Sequence, residues 1–216
     1  VSPAVVHRLP SPVGPALKVW IGGCRFLVQR TPDLALEYLR ASAAFLDEAE
    51  VTSLDRWAEE GEKLFRHLGR PVRSMAIYFS GSPRLLSLGG WELLERWLEV
   101  ARQLAKVDLQ LAITFLAESP SLLARLAPSY RSEALSLAAL LVPAAGKRPL
   151  SLNLLRDLPD HLDQVGEEDR PTLWEIGLQI AGHGPEQVIP FWEMVPQCLH
   201  LLDTIEREAL ISFGQR

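Results

Sequence analysis

Apolar positions along this chain recur in two kinds of group, and both carry helical spacing. In the first kind a leucine is followed three residues later by tryptophan, with a second leucine seven residues beyond the tryptophan. The instances are Leu17, Trp20, Leu27; Leu54, Trp57, Leu64; and Leu94, Trp97, Leu104. A smaller residue, Cys24, Gly61 or Ala101, stands one helical turn after each tryptophan. Such offsets fall on one face of an α-helix. A small side chain there lets a neighbouring helix come close to the indole.

The second kind of group is a nine-residue stretch. It reads YLRASAAFL at 38–46, YFSGSPRLL at 78–86 and FLAESPSLL at 115–123, with weaker copies LLRDLPDHL at 154–162 and FWEMVPQCL at 191–199. Its first residues, Tyr38, Tyr78, Phe115, Leu154 and Phe191, are separated by 40, 37, 39 and 37 positions. The sixth position holds Ala43, Pro83, Pro120, Pro159 and Pro196, and the ninth holds Leu46, Leu86, Leu123, Leu162 and Leu199. In the last unit the tryptophan group keeps Trp174 and Gly177, and the fourth unit, around 134–142, has lost the tryptophan.

Each unit therefore predicts a tryptophan helix followed by a second helix. Ser82 and Ser119 are suited to cap a helix N-terminus, and Pro83 and Pro120 suit the first helical position. Ser-Pro is thus expected to close the second helix and open a short third one, such as 120–126. Sustained period-2 alternation is absent, which predicts an all-α chain. One unit cannot bury its own apolar face, whereas stacked neighbours can. The expected architecture is an α-solenoid of about five repeats of 37–40 residues, stacked in the HEAT or armadillo manner.

Residues 1–15, with four prolines, are expected to form an extended lead-in to a single repeat domain over 16–216. Its units fall at approximately 16–50, 51–89, 90–127, 128–166 and 167–216. Extra residues around Gly69, Arg70 and Pro71 enlarge a loop in the second unit, and GEEDR at 166–170 forms a polar inter-unit loop. The chain begins at Val1, as a piece of a longer protein would.

Composition narrows the function. Hydrophobic residues make up 48% and charged residues 23%, the balance of a folded domain. The net charge is −5, with 22 basic residues dispersed among 27 acidic ones, which argues against a nucleic-acid partner. The longest uncharged apolar stretch, 134–146, contains Pro143 and is shorter than the roughly 20 residues of a membrane span. Cys24 and Cys198 have no CxxC spacing, which suits buried thiols in a reducing, cytoplasmic setting.

Motifs for catalysis are missing. His7, His67, His161, His183 and His200 form no metal-ligand spacing, and no Gly-x-Ser-x-Gly elbow occurs. Ile21-Gly22-Gly23-Cys24 lacks the rest of a phosphate loop and fits helix packing. Glu59-Glu60 and Glu167-Glu168-Asp169 are adjacent residues that diverge on a helix and are expected to face solvent. Hence no catalytic, cofactor or metal residue is assigned, and a non-enzyme is expected. Trp20, Trp57, Trp97, Trp174 and Trp192 are expected in the core. Trp91, which follows Gly89-Gly90 at a unit junction, is the single candidate for a partner-binding aromatic.

The segments LDRWAEEGEKL at 54–64 and FLAESPSLLARL at 115–126 follow the patterns LxxWxxxGxxL and YFxxSPxLLxxL. In this the chain resembles the helical repeats of bacterial proteins that also carry a von Willebrand factor A domain, of the nitric oxide reductase activation protein type. The resemblance covers most of the chain. It implies a non-catalytic helical region of a larger accessory or activation protein, with a von Willebrand factor A domain or an ATPase as partner. The Asp-x-Ser-x-Ser metal signature of the A domain is absent, so no functional residue carries over. Protein–protein scaffold or adaptor is the expected function. The alternatives are an enzyme assembled from scattered residues and a HEAT-like nucleic-acid-binding array.

Overall fold

The tryptophan groups and the nine-residue stretches at 78–86, 115–123, 154–162 and 191–199 lie on helices in the computed structural model. It describes residues 15–30, 32, 35–36, 38–39, 51–68, 71–145, 148–201 and 211. The elements are α1 (Pro15–Arg30), α2 (Val51–Leu68), α3 (Pro71–Val107), α4 (Leu109–Leu123), α5 (Pro128–Ala145), α6 (Leu150–Asp163), α7 (Arg170–His183), a short 3-10 turn (Pro185–Gln187) and α8 (Val188–Leu201). The chain is all-α, with no strand among the described residues. Residues 1–14 of the expected lead-in, Ala43, Leu46, Gly69, Arg70 and His7 lie outside them, as do the side chains of Leu17, Leu54, Pro71, Pro196 and His200. Pro15 is the first residue of α1 and not the end of a lead-in.

Two compact units are formed, Val1–Pro120 and Ser121–Arg216. In the first, α1 packs on α2 and α3, and α2 packs on α3. In the second, α5 packs on α6 and α7, and α8 packs on α6 and α7. In the first unit the tryptophan helix α1 thus neighbours the tryptophan helix α2, and in the second unit the second helices α6 and α8 neighbour each other.

Trp57 shows why the tryptophan spacing recurs. Its indole N–H donates to Ser82 Oγ at 2.8 Å, and the Ser82 hydroxyl donates to the Tyr78 carbonyl at 2.6 Å. The Tyr78 hydroxyl in turn donates to the Trp57 carbonyl at 2.6 Å. Trp57, Tyr78 and Ser82 are fully buried, so each bond satisfies a polar group that burial would otherwise leave at a cost. The next unit repeats the interlock. Trp97 donates to Ser119 at 2.7 Å, and Ser119 donates to the Phe115 carbonyl. Phe115 stands in the tyrosine place and has no hydroxyl, so that third bond does not form. Tyr38 keeps it, donating to the Trp20 carbonyl at 3.2 Å.

The expected use of Ser-Pro is corrected here. Ser82 and Ser119 cap nothing. Pro83 and Pro120 lie inside α3 and α4, and residues 120–123 end α4 before a turn at 124–126. The serine hydroxyl is engaged by the indole and by the carbonyl four residues back, so it cannot turn to cap backbone N–H groups. An interior proline costs one helical bond. Here Pro83 and Pro120 are buried, and the Pro120 ring sits 3.1 Å from the point where a Cβ on Gly81 would lie. The break in α3 comes instead at Gly89–Gly90, where Gly90 takes φ 66°, a conformation that favours glycine. Asp108 caps α4, its Oδ1 accepting from the Gln110 and Leu111 amides at 2.7 and 3.1 Å.

The weaker copies show the same logic by its loss. In the fourth unit Ala134 stands in the tryptophan place and Leu158 in the serine place, and both are buried. With no indole donor, no hydroxyl is needed. In the last unit Trp174 is buried, but Val195 replaces the serine, and the Trp174 indole nitrogen has no hydrogen-bond partner among the described residues. By the alignment of the repeats, Val195→Ser would offer the Trp174 indole an acceptor. It is expected to be more stable than Val195→Ala by about 0.5–1.5 kcal/mol, the usual net value of one hydrogen bond, in paired urea titrations. Equal midpoints for the two variants would count against the shared geometry.

Candidate partner-binding surface

In the first compact unit, the outward faces of α2 and of residues 91–107 in α3 carry charges of both signs. Glu60, Lys63, His67, Glu95, Arg96, Glu99 and Arg102 line an open cleft between them. Glu60, expected to be simply solvated, is mostly covered. It accepts from Lys63 at 2.7 Å and from Arg102 at 2.9 Å, and Arg102 also lies 3.6 Å from Glu99. Burial pushes the Glu60 carboxyl up, but the Lys63 hydrogen bond and charge, together with Arg102, more than offset this and hold it below its ordinary value.

A group with a depressed folded-state pKa stabilises the fold above its ordinary pKa and loses that contribution as pH falls through the folded value. Glu60→Gln is therefore expected to flatten the fall in melting temperature as pH drops below 4.5. The wild type and Glu60→Gln would be compared by thermal melts across that range. Parallel curves would contradict the role given to Glu60.

Arg56 adjoins this cleft through Glu95, one of its lining residues. Its guanidinium carbon lies 4.7 Å from the centroid of the Trp91 ring, and its Nη2 pairs with Glu95. Arg56 and Glu95 side chains are 48% and 49% exposed, and Trp91 is half-buried. Both partners of Arg56 lie just beyond the Gly89–Gly90 break, which turns the start of the third tryptophan helix toward α2. Trp91 is thus placed at an accessible junction, with one ring face covered by an arginine of the same chain. The sequence drew attention to Trp91 but not to Arg56 or Glu95, whose types and spacing are ordinary for an exposed helix.

Among the other singled-out residues, His67 also lines this cleft. Trp20, Trp57, Trp97, Trp174 and Trp192 are all buried. Gly22 and Gly23 lie within α1, and Gly23 faces the Phe79 ring. His67 is exposed at the cleft, His161 is half-buried, and His183 is exposed with Nδ1 2.8 Å from the Gln179 carbonyl. Glu167 and Glu168 are exposed, and Arg170 begins α7, its Nε donating to the Val165 carbonyl at 3.1 Å. Both cysteines are free, but the expectation of buried thiols is corrected: Cys24 is half-buried and Cys198 exposed, since Cys198 lies on an outward position of α8. Among the described residues no group of three or more His, Cys, Asp or Glu could hold a metal ion, and no helix is long and apolar enough to cross a membrane.

These features define an all-helical protein of recurring helix pairs with a charged outer seam. Compared with protein-family models, curated proteins and solved structures, the chain matches none of them.

Proposed function

We propose that this chain is a protein–protein interaction scaffold or adaptor, an α-solenoid whose units stack in the HEAT or armadillo manner. The observation that supports this best is the recurrence of one interlock, Trp57 with Ser82 and Trp97 with Ser119, in successive units. Repeating the same buried joint fixes helix pairs side by side and leaves their outer faces free to vary, which is how repeat arrays present extended binding surfaces. The resemblance to helical regions of von Willebrand factor A domain proteins supports a place in a larger accessory or activation protein. It points to an A domain or an ATPase as partner, in the cytoplasm.

The test is affinity capture from the native host with the chain as bait, followed by titration of the purified candidate. A stoichiometric complex that forms with wild type and is weakened at least about tenfold by charge reversal on the α2–α3 seam, a loss near 1.4 kcal/mol, supports the reading. Binding of duplex DNA at physiological salt, or partner binding indifferent to every outward-face variant, would overturn it. The dispersed charges predict no retention on DNA.

A further inference from the structure

We infer that Trp91 and Glu95 form a receptor for an arginine side chain of the protein partner, occupied in the free chain by the protein's own Arg56. The inference rests on the protein-binding reading above and names the chemistry the partner must present.

Arg56 shows what the site accepts. A planar guanidinium lies over the Trp91 ring at 4.7 Å while one of its nitrogens meets the Glu95 carboxylate. Stacking on an indole face and hydrogen bonding to a carboxylate in the same pose are properties of guanidinium more than of ammonium, which is a compact, strongly hydrated point charge. The two receptor residues are one helical turn apart on α3, so they hold their spacing whether or not Arg56 is in place. Arg56 comes from a different helix, and its side chain is about half exposed. An exposed ion pair of this kind contributes little to stability, roughly 0–1 kcal/mol. Exchanging it for an arginine from outside therefore costs the fold little. Trp91 supplies the aromatic anchor that binding hot spots favour.

Arg56 then acts as a tethered competitor. Intramolecular occupancy lowers apparent affinity for an outside ligand by the fraction of time the site is empty. Removing Arg56 should expose the receptor without touching it.

The experiment titrates N-acetyl-arginine methylamide into wild type, Arg56→Ala and Arg56→Gln, reading the Trp91 indole signal by NMR, with the lysine analogue in parallel. Both Arg56 variants are expected to shift the Trp91 signal saturably, at probe concentrations about tenfold below those needed by wild type. The lysine probe should be weaker, and Glu95→Gln in the Arg56→Ala background should weaken arginine binding. Equal response of wild type and both Arg56 variants would overturn the proposal, as would equal response to the two probes. Arg56→Gln keeps most of the stem, so agreement between the two variants excludes a folding artefact. A partner captured equally well by wild type and Trp91→Leu would sink this site while leaving the scaffold reading intact. No captured partner alongside saturable arginine binding would count against the scaffold reading alone.

Discussion

Replacing Trp57 with alanine is expected to lower the unfolding free energy by about 3–5 kcal/mol, the range for deleting a large aromatic from a packed interior. Trp57 is fully buried and its ring centroid lies 5.9 Å from that of Tyr78, 5.3 Å from Phe79 and 6.4 Å from Tyr38. The substitution removes all of these contacts and strips the Ser82 hydroxyl of its donor. Three residues of the first compact unit then line a cavity. For a chain of this size each kcal/mol moves the melting temperature by about 2–4 °C, so thermal melts resolve the effect easily. The polar share can be separated with Trp57→Phe, Ser82→Ala and the pair together. Ser82→Ala leaves a buried indole N–H unsatisfied and should cost about 1–3 kcal/mol, and the double variant should cost less than the sum. Simple additivity would mean that the indole and the hydroxyl do not depend on each other.

Gly61→Ala is the second large effect. A Cβ built on Gly61 would lie 2.7 Å from Tyr78 Cε1 and 3.1 Å from Cδ1. The tyrosine cannot retreat, because its hydroxyl is held by the Trp57 carbonyl and its ring is flanked by Phe65 and Phe79. Forcing extra volume into such a site costs about 1–3 kcal/mol, which outweighs the roughly 0.5–1 kcal/mol that alanine gains over glycine in a helix. Gly22 provides the contrast. A Cβ there meets nothing within 4 Å, so Gly22→Ala should be stabilising by that helical gain. The pair is measured by urea unfolding. Opposite signs are expected, and a stabilised Gly61→Ala would refute the close approach of the Tyr78 ring.

The Gly61 contact was legible in the sequence, because a small residue one turn after a tryptophan has few other reasons to recur. The burial of Trp20, Trp57, Trp97 and Trp174 was legible for the same reason, since helical spacing fixes which face they share, and that of Trp192 from its alignment with Phe79, Leu116 and Leu155 in the nine-residue stretch. Ser82 was misread because a serine before proline has two competing uses. It can cap a new helix, or it can stay inside one and bond the carbonyl four residues back. The choice is made by Trp57, which is 25 positions away in sequence. A signal did exist in the internal repeats. Serine accompanies tryptophan in the second and third units, and both are missing together in the fourth, where Ala134 and Leu158 stand. Arg56 was not legible. On an exposed face nothing distinguishes one arginine from another until the Gly89–Gly90 break brings Trp91 beneath it.

Hydrogen exchange of the tryptophan indole N–H groups, resolved by NMR, tests the repeated interlock most directly. Trp57 and Trp97, sealed and bonded to Ser82 and Ser119, should exchange only with global or sub-global unfolding. Trp91 should exchange orders of magnitude faster. Exchange of Trp57 or Trp97 at the rate of Trp91, or no change on replacing the two serines with alanine, would contradict an array built on recurring tryptophan–serine joints.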